Sequence, residues 1–423
     1  MTSPSAQPAT GKARQSSCRF CSTPLRHTFV DLGMSPLCQT HIEQHQLNHM
    51  EPFYPLHAYV CETCYLVQIE EFVAPGEIFS EYAYFSSYSD SWVQHAKNYA
   101  DAMRQRFGID KNSLVMELAS NDGYLLQHFV NQGVPCLGIE PAANVAKVAI
   151  EKGVPTTVKF FGTQTAREIS KEHGQPDLLL GNNVLAHVPN LNDFVAGMKL
   201  LLKPGGVITV EFPHLLRLMA QNQFDTIYHE HFSYFSFYSV EKVFAHHGLT
   251  LFDVEELTTH GGSIRIYGRH AEDTSKPVMA RVTDMRQREI DAGFTRLETY
   301  ASFAEQVKET KRKVLEFLIK AKRDKKTIAG YGAPGKGNTL LNYCGIRTDF
   351  IDYTVDRNPY KQGKYTPGTH IPILSPDKIK ETRPDYLFIL PWNLKDEVMQ
   401  QNAFIRAWGG KFVVPIPELK VLS

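Results

Sequence analysis

Two stretches of this 423-residue chain alternate short apolar runs with helical segments, and that rhythm restricts the fold more than any other feature. In the first, from about 75 to 270, a polar helical stretch over 90–106 leads into an apolar strand at Leu114–Leu118. A helical YLLQHFVNQG, the strand CLGIE, a helix from about Ala142 to Lys152, and the strands DLLLG and GGVITVEF follow. The second stretch carries the strands KTIAGYG, FIDYTVD and DYLFILP and a terminal strand, GKFVVPI. Strands that alternate with helices predict doubly wound, mostly parallel sheets, hence an α/β chain with two such units. Between them, over 283–326, Leu297, Tyr300, Ala304, Val307, Val314, Phe317, Leu318 and Ala321 fall at the steps of one buried helix face. One long helix or a broken pair is expected there.

Ahead of both units stand four of the seven cysteines, as the pairs Cys18/Cys21 and Cys61/Cys64. Two CxxC knuckles supply the four thiolates of a tetrahedral zinc site, and a site filled by sulfur leaves no position for water, so the metal is structural. Cys38, His41 and His57 are the substitute ligands. The module is expected to be small, strand-poor and dependent on its metal. The N-terminal segment is small and polar with no apolar core, as in a disordered tail rather than a signal peptide. This assigns 1–17 to a tail, 18–72 to the zinc-binding domain, 73–275 to the first α/β domain, and 276–423 to a helical linker plus the second. Forty-five basic residues balance forty-five acidic ones, which argues against nucleic acid or a membrane surface as partner. No apolar run reaches the about 18 residues of a spanning helix. A cytoplasmic protein is expected, as a monomer, with a dimer left open.

The strand before the first turn runs into Glu117-Leu-Ala-Ser-Asn-Asp-Gly123. In class I methyltransferases this turn reads acidic-x-Gly-x-Gly-x-Gly, because S-adenosylmethionine packs on bare backbone there. Here Ala119, Asn121 and Gly123 hold the glycine places, with Asp122 between the last two. Glu140, 23 residues after Glu117, ends the next strand, where a carboxylate can take both ribose hydroxyls. Asn182-Asn183 and His187 follow the third strand. The second turn, Gly330-Tyr-Gly332-Ala333-Pro-Gly335-Lys336-Gly337, has the G-x-G-x-x-G spacing, and Asp356 lies 24 residues past Gly332. Lys336 stands at a helix start, where phosphate oxygens gather. Lys361, Lys364 and His370 lie downstream to wrap a base or sugar. Tyr228-His229-Glu230-His231 lies beyond a strand end and offers a general base. A hydrogen-bonded core and a His-x-His metal site are the alternatives for it.

Together the CxxC pairs, ELASNDGYLL, NNVLAHVPN, YHEHFSYFS, THGGSIRIY and IAGYGAPGKGNTLLNYCGI occur in one order. In that joint pattern, nearly the whole chain from Cys18 onward resembles the S-adenosylmethionine-dependent sugar C-methyltransferases that build branched-chain deoxysugars on nucleotide carriers. The resemblance implies a zinc-binding domain, a class I methyltransferase domain with a Rossmann-like fold, and a second Rossmann-like domain for the nucleotide of the sugar. It implies C3 methylation of a 4-keto-6-deoxyhexose, typically dTDP-linked. His231 matches the family's base, Tyr228 and Glu230 its neighbours, and His187 a further histidine. Tyr82, in Glu81-Tyr-Ala-Tyr84, matches an active-site tyrosine, with Tyr84 beside the substrate. His229 receives no role. An O-methyltransferase on a sugar nucleotide is the nearest rival. An NAD-dependent oxidoreductase using the second turn is the other enzyme class, and a non-catalytic zinc scaffold the third.

Overall fold

The computed structural model describes residues 16–74, 76–77 and 85–423. Residues 1–15 of the expected tail, and Tyr82 and Tyr84, therefore lie outside the described residues. Ser16 and Ser17, also placed in the tail, belong instead to the first knuckle: Ser17 bridges Pro24, and the Leu25 N–H donates to the Ser16 carbonyl at 2.8 Å.

Seven strands form the central sheet, in the order Leu249–Leu257, Ser263–His270, Val207–Pro213, Leu178–Asn182, Val115–Leu118, Cys136–Ile139, Thr156–Thr157. All run parallel except Ser263–His270, which is antiparallel to both neighbours. In chain order this is 3-2-1-4-5-7-6 read from the Thr156 edge, the class I methyltransferase arrangement with a Rossmann-like core. The helix Asp90–Phe107 that covers it has an identifiable start and stop. Ser89 accepts the Trp92 N–H at 3.4 Å, and Gly108 closes the last turn at φ 66°.

A second sheet has the order Ile373–Leu374, Tyr353–Val355, Ile328–Tyr331, Tyr386–Ile389, Lys411–Val414, Lys420–Leu422. Its first five strands are parallel and the last is antiparallel. The sequence suggested that Lys411–Val414 is the terminal strand, but Lys420–Leu422 follows it and pairs at its edge.

The N-terminal module departs from expectation. It is not strand-poor: His27–Ser35, Tyr54–Val60 and Val67–Ile69 pair antiparallel. Register shifts after Thr28 and Asp31 blur the alternation that would have announced the first of them. The fourth strand of this sheet is Ser233–Tyr234, contributed from far down the chain, between the central-sheet strands Val207–Pro213 and Leu249–Leu257.

The stretch between the α/β units is three helices, not one or two: Ala280–Asp291, Leu297–Ala301 and Phe303–Arg323. Val282 and Met285 of the first pack into the core of the central sheet. Tyr300, Val307, Val314, Leu318 and Ala321 are buried as the spacing predicted. One apolar cluster runs from Phe29 and Val30 of the N-terminal sheet through Phe224 and Ile227 to Phe388 and Ile389 of the C-terminal sheet. Phe29 stacks on Phe303 at 4.8 Å, and removing a buried ring of this size costs about 3–5 kcal/mol. Among the described residues no helix is long and apolar enough to cross a membrane.

Candidate active site and metal centre

The carboxyl ends of the parallel strands Val115–Leu118, Cys136–Ile139 and Leu178–Asn182 open on a cavity of about 450 Å³. Ala119, Asn121, Glu140 and Asn183 line one side of it. His187, Tyr228, Glu230 and His231 line it as well, and so do Pro334, Gly335 and Lys336 of the second turn.

On the first side the backbone does what glycine usually does. Ala119, Asn121 and Gly123 take φ of 55°, 50° and 75°, and Asn183 takes 55°. Asn tolerates this left-handed region, whereas Ala adopts it at a cost of about 1–2 kcal/mol. Glu140 accepts N–H groups from Asn121 at 2.8 Å and Ala142 at 2.9 Å, one on each oxygen. Burial holds its carboxyl above the ordinary range against those two bonds. The buried side-chain oxygens and nitrogens of Asn182 and Asn183 have no hydrogen-bond partner among the described residues. Partnerless polar atoms beside a carboxylate and a close-approaching backbone fit the ribose and amino-acid ends of S-adenosylmethionine.

The other residues expected to hold the cofactor do not line this cavity. Glu117 is buried, and burial, with Glu140 and Asp122 nearby, pushes its carboxyl well up. Asp122 pairs with Lys152 at 3.1 Å and also accepts the Ser87 hydroxyl, which ties down the far side of the turn. Gly123 is a packing position, since a Cβ there would lie 3.0 Å from Val154 Cγ2.

His231 Nδ1 lies 3.0 Å from the Thr226 carbonyl oxygen. A carbonyl only accepts, so Nδ1 carries the proton and Nε2 is the basic nitrogen. Its ring lies 4.1 Å from that of Tyr228 and 4.6 Å from that of His187. Burial first, then the neighbouring His187, holds His231 well below the usual imidazole range, and burial brings His187 down to about 4. Both rings are therefore neutral at neutral pH. Glu230 touches Cys38 Sγ at 3.6 Å, and burial lifts its carboxyl to about 7. His229 instead contacts the Pro55 carbonyl at 3.2 Å and is absent from the cavity wall.

Residues that the sequence did not single out complete the wall. Trp92 stacks on His95 at 5.0 Å and meets the edge of His260 at 5.0 Å, and Trp92 and His260 both line the cavity. His260 lies in the THGG stretch with φ 53°, a strained value for a non-glycine residue. That non-glycine residue ahead of two glycines was the available signal. Beneath them, Glu211 accepts from His95 at 3.0 Å, Arg265 at 3.0 Å and Thr259 at 3.0 Å. Burial raises Glu211, but His95 and Arg265 outweigh it and leave the carboxylate below its ordinary value.

The second turn is largely closed on itself. Ala333 N–H donates to Asp356 Oδ2 at 2.8 Å, and Lys361 Nζ donates to the Ala333 carbonyl at 3.0 Å. Gly332, Ala333, Asp356 and Lys361 do not line the cavity. His370 pairs with Glu51 of the N-terminal module at 2.9 Å and is not at the wall either. Only Lys336 of the residues expected here reaches it.

The metal expectation meets a well-formed site. The four Sγ atoms of Cys18, Cys21, Cys61 and Cys64 lie within 4.8 Å of one another, with Cys18–Cys64 at 3.5 Å and Cys21–Cys61 at 3.4 Å. Tetrahedral zinc with Zn–S bonds of about 2.3 Å needs sulfurs about 3.8 Å apart, so the set fits the ion. Cys38, His41 and His57 lie outside the cluster.

Comparison with known proteins identifies the family. Residues 18–79 match a family described as "Putative zinc binding domain", 92–254 a methyltransferase domain, and 258–417 a C-methyltransferase C-terminal domain. The C-methyltransferase NovU of Streptomyces niveus is 36% identical over 406 residues, covering 96% of each chain. Among solved structures, the PH0226 protein of Pyrococcus horikoshii OT3 is 16% identical with a TM-score of 0.37, over 47% of this chain and 99% of that one. A S-adenosylmethionine-dependent methyltransferase of Clostridium acetobutylicum ATCC 824 is 10% identical with a TM-score of 0.34, over 42% and 92%. On the full-length match and the three domain matches, the chain belongs to the S-adenosylmethionine-dependent C-methyltransferases.

Proposed function

We propose that this enzyme methylates C3 of a 4-keto-6-deoxyhexose carried on a nucleotide, dTDP in the first instance, with His231 as the base. The observation that carries the reading is that one cavity is lined by Asn121, Glu140 and Asn183, by His231, and by Lys336 of the second α/β unit. Such a cavity can seat a methyl donor and a second, anionic substrate beside one basic nitrogen.

A ketone at C4 acidifies the C3 hydrogen. His231 Nε2 accepts that proton, since Nδ1 is committed to Thr226 and the ring is neutral. Tyr228, His187 and, outside the described residues, Tyr82 are the donors for the enolate oxygen. Glu230, lifted by burial, can hold a proton near neutral pH and donate as well. When bound, S-adenosylmethionine supplies an electrophilic methyl group on a sulfonium. Glu140, Asn121, Asn182 and Asn183 would hold it, and the aromatic wall around Trp92 keeps water from the carbanion. Zinc on the four cysteines would hold the knuckles together and take no part in the chemistry.

Titrating the protein calorimetrically with S-adenosylhomocysteine and then with dTDP tests the two-ligand reading. Micromolar binding of both, at separate sites, is expected. Binding of the first without the second shows that the carrier is wrong. Binding of NAD instead of either overturns the proposal, and the product's methyl carbon shift separates C- from O-methylation.

A further inference from the structure

Lys336 belongs to a glycine-rich turn, yet it is directed into the shared cavity, and a buried apparatus holds it there. Its Nζ donates to Asn393 Oδ1 at 2.8 Å and lies 4.7 Å from the centroid of the Trp392 ring. The indole N–H of Trp392 donates to Asp225 Oδ2 at 2.7 Å. Asp225 is wholly buried, on the short turn Phe224–Thr226 whose last carbonyl fixes the tautomer of His231. Trp392 is seated firmly, because a Cβ on Gly261 would lie 2.6 Å from its Cη2. A buried carboxylate is costly, and a neutral acceptor such as an amide would serve the indole N–H as well, so its charge calls for a purpose.

We propose that Asp225 is a positioning residue of the active centre: with Trp392 it fixes the Lys336 ammonium in the cavity as the site for an oxyanion of the substrate. Two substrate groups share that chemistry. One is the enolate oxygen that forms as His231 takes the proton, and the other is a phosphate oxygen of the carrier. The inference rests on the function proposed above.

The pair has a pH signature. Burial lowers the Lys336 ammonium, and the charge of Asp225 opposes that. Burial lifts Asp225 to about 7, while Lys336 and the indole act the other way. The other titratable groups in reach are His231 and His260, both lowered by burial, and Cys344, raised to about 12 by burial, so all three are neutral near pH 7. Removing the charge of Asp225 therefore lets Lys336 deprotonate at lower pH.

The test uses the full-length enzyme with S-adenosylmethionine and a dTDP-4-keto-6-deoxyhexose. K336M is expected to lower kcat/KM by about 10²–10³, and K336R to recover part of it. D225N keeps an acceptor for the indole. It is expected to lower kcat/KM at least about tenfold and to move the alkaline limb of the pH profile about one unit toward acid, with S-adenosylhomocysteine affinity unchanged. Deuterium exchange at C3 from solvent separates the two sources. Slower exchange at saturating substrate identifies the enolate, while a raised KM with unchanged exchange identifies the phosphate. A soluble D225N with the wild-type rate and pH profile, or a K336M with wild-type kcat and KM, overturns the proposal. Should D225N not fold, W392F removes the donor and keeps a ring, and a wild-type kcat/KM there counts against the proposal in the same way. Failure of the underlying function shows differently, as a wild-type enzyme that binds no dTDP and exchanges no proton from any 4-keto sugar.

Discussion

The two strand–turn–helix units divide their features in an unexpected way. The first turn, Glu117–Gly123, keeps one glycine of three and contributes Ala119 and Asn121 to the cavity wall, both forced into left-handed backbone. The second has the full glycine spacing and spends much of it on itself: Gly332 N–H donates to the Val355 carbonyl at 2.6 Å, and Asp356 caps Ala333. Residues of the N-terminal module complete that closure. Asn338 donates to the Cys38 carbonyl at 2.6 Å, and the Ile42 and Tyr365 backbones pair. Glycine spacing thus reports how sharply a backbone turns, whereas the loops that cover a turn decide what it can hold.

Stripping zinc or replacing Cys61 by Ser gives the largest effect expected, since structural zinc sites contribute about 10–16 kcal/mol of apparent binding energy. The segment 36–42 against the second turn belongs to that module, while the first turn does not. Turnover and dTDP binding should vanish in calorimetry while S-adenosylhomocysteine binding persists. If both affinities fall together, the two turns are not independently supported. Next in size, His231→Ala should slow turnover by about 10²–10⁴ and leave both ligands bound, because it removes the base and no backbone of either turn. Full turnover in that variant would falsify the assignment of the base.

Backbone exchanges sharpen the contrast further. Gly332→Ala places a Cβ 2.7 Å from Pro391 Cδ at φ +85°, and a loss of about 1–3 kcal/mol is expected in denaturant unfolding. Ala119→Gly relieves strain but loosens the unfolded chain, and should change stability by no more than about 0.5–1 kcal/mol. Equal losses at both positions would show that the first turn is not strained. The smallest effect concerns pH. His231 must be neutral to accept a proton, and burial keeps it so to well below pH 6.5. In D225N, where position 225 cannot titrate, lowering the pH from 7 to 6 should therefore leave kcat/KM within about twofold, and a limb centred near 6.5 in that variant would mean that the ring is wetter than it is here.

Much of the fold was readable because parallel strands buried on both faces are continuous apolar runs. LVMEL, CLGIE and DLLLG fell where strands stand, and the linker's buried face was right at Tyr300, Val307, Val314 and Leu318. What was missed depends on distant partners. Nothing local in SYFS says that Ser233–Tyr234 pairs with Val67–Gln68, nor does Gly293 alone say that the helix breaks there. In the site, residues carrying titratable groups inside distinctive motifs were visible, and His231, Tyr228, Glu230 and His187 do share one cavity. Trp92, His260 and Asp225 were not, because their significance lies in ring and charge contacts with segments more than a hundred residues away. Lys336 was noticed, but the direction it faces is set by Trp392 and Asn393.

The two-residue strand Ser233–Tyr234 has a consequence for how this polypeptide can be divided. It lies two residues past His231 and closes the edge of a sheet whose other three strands precede residue 70. Cutting the chain between the cysteine module and the methyltransferase core would leave Val67–Ile69 as an open edge, with Tyr234 stripped of its partner. Each piece would then be inclined to find that missing strand in another molecule. The parts that look like beads on a string are closer to a clasp and its hook: active enzyme should be recoverable from co-expressed halves, and not from either half alone.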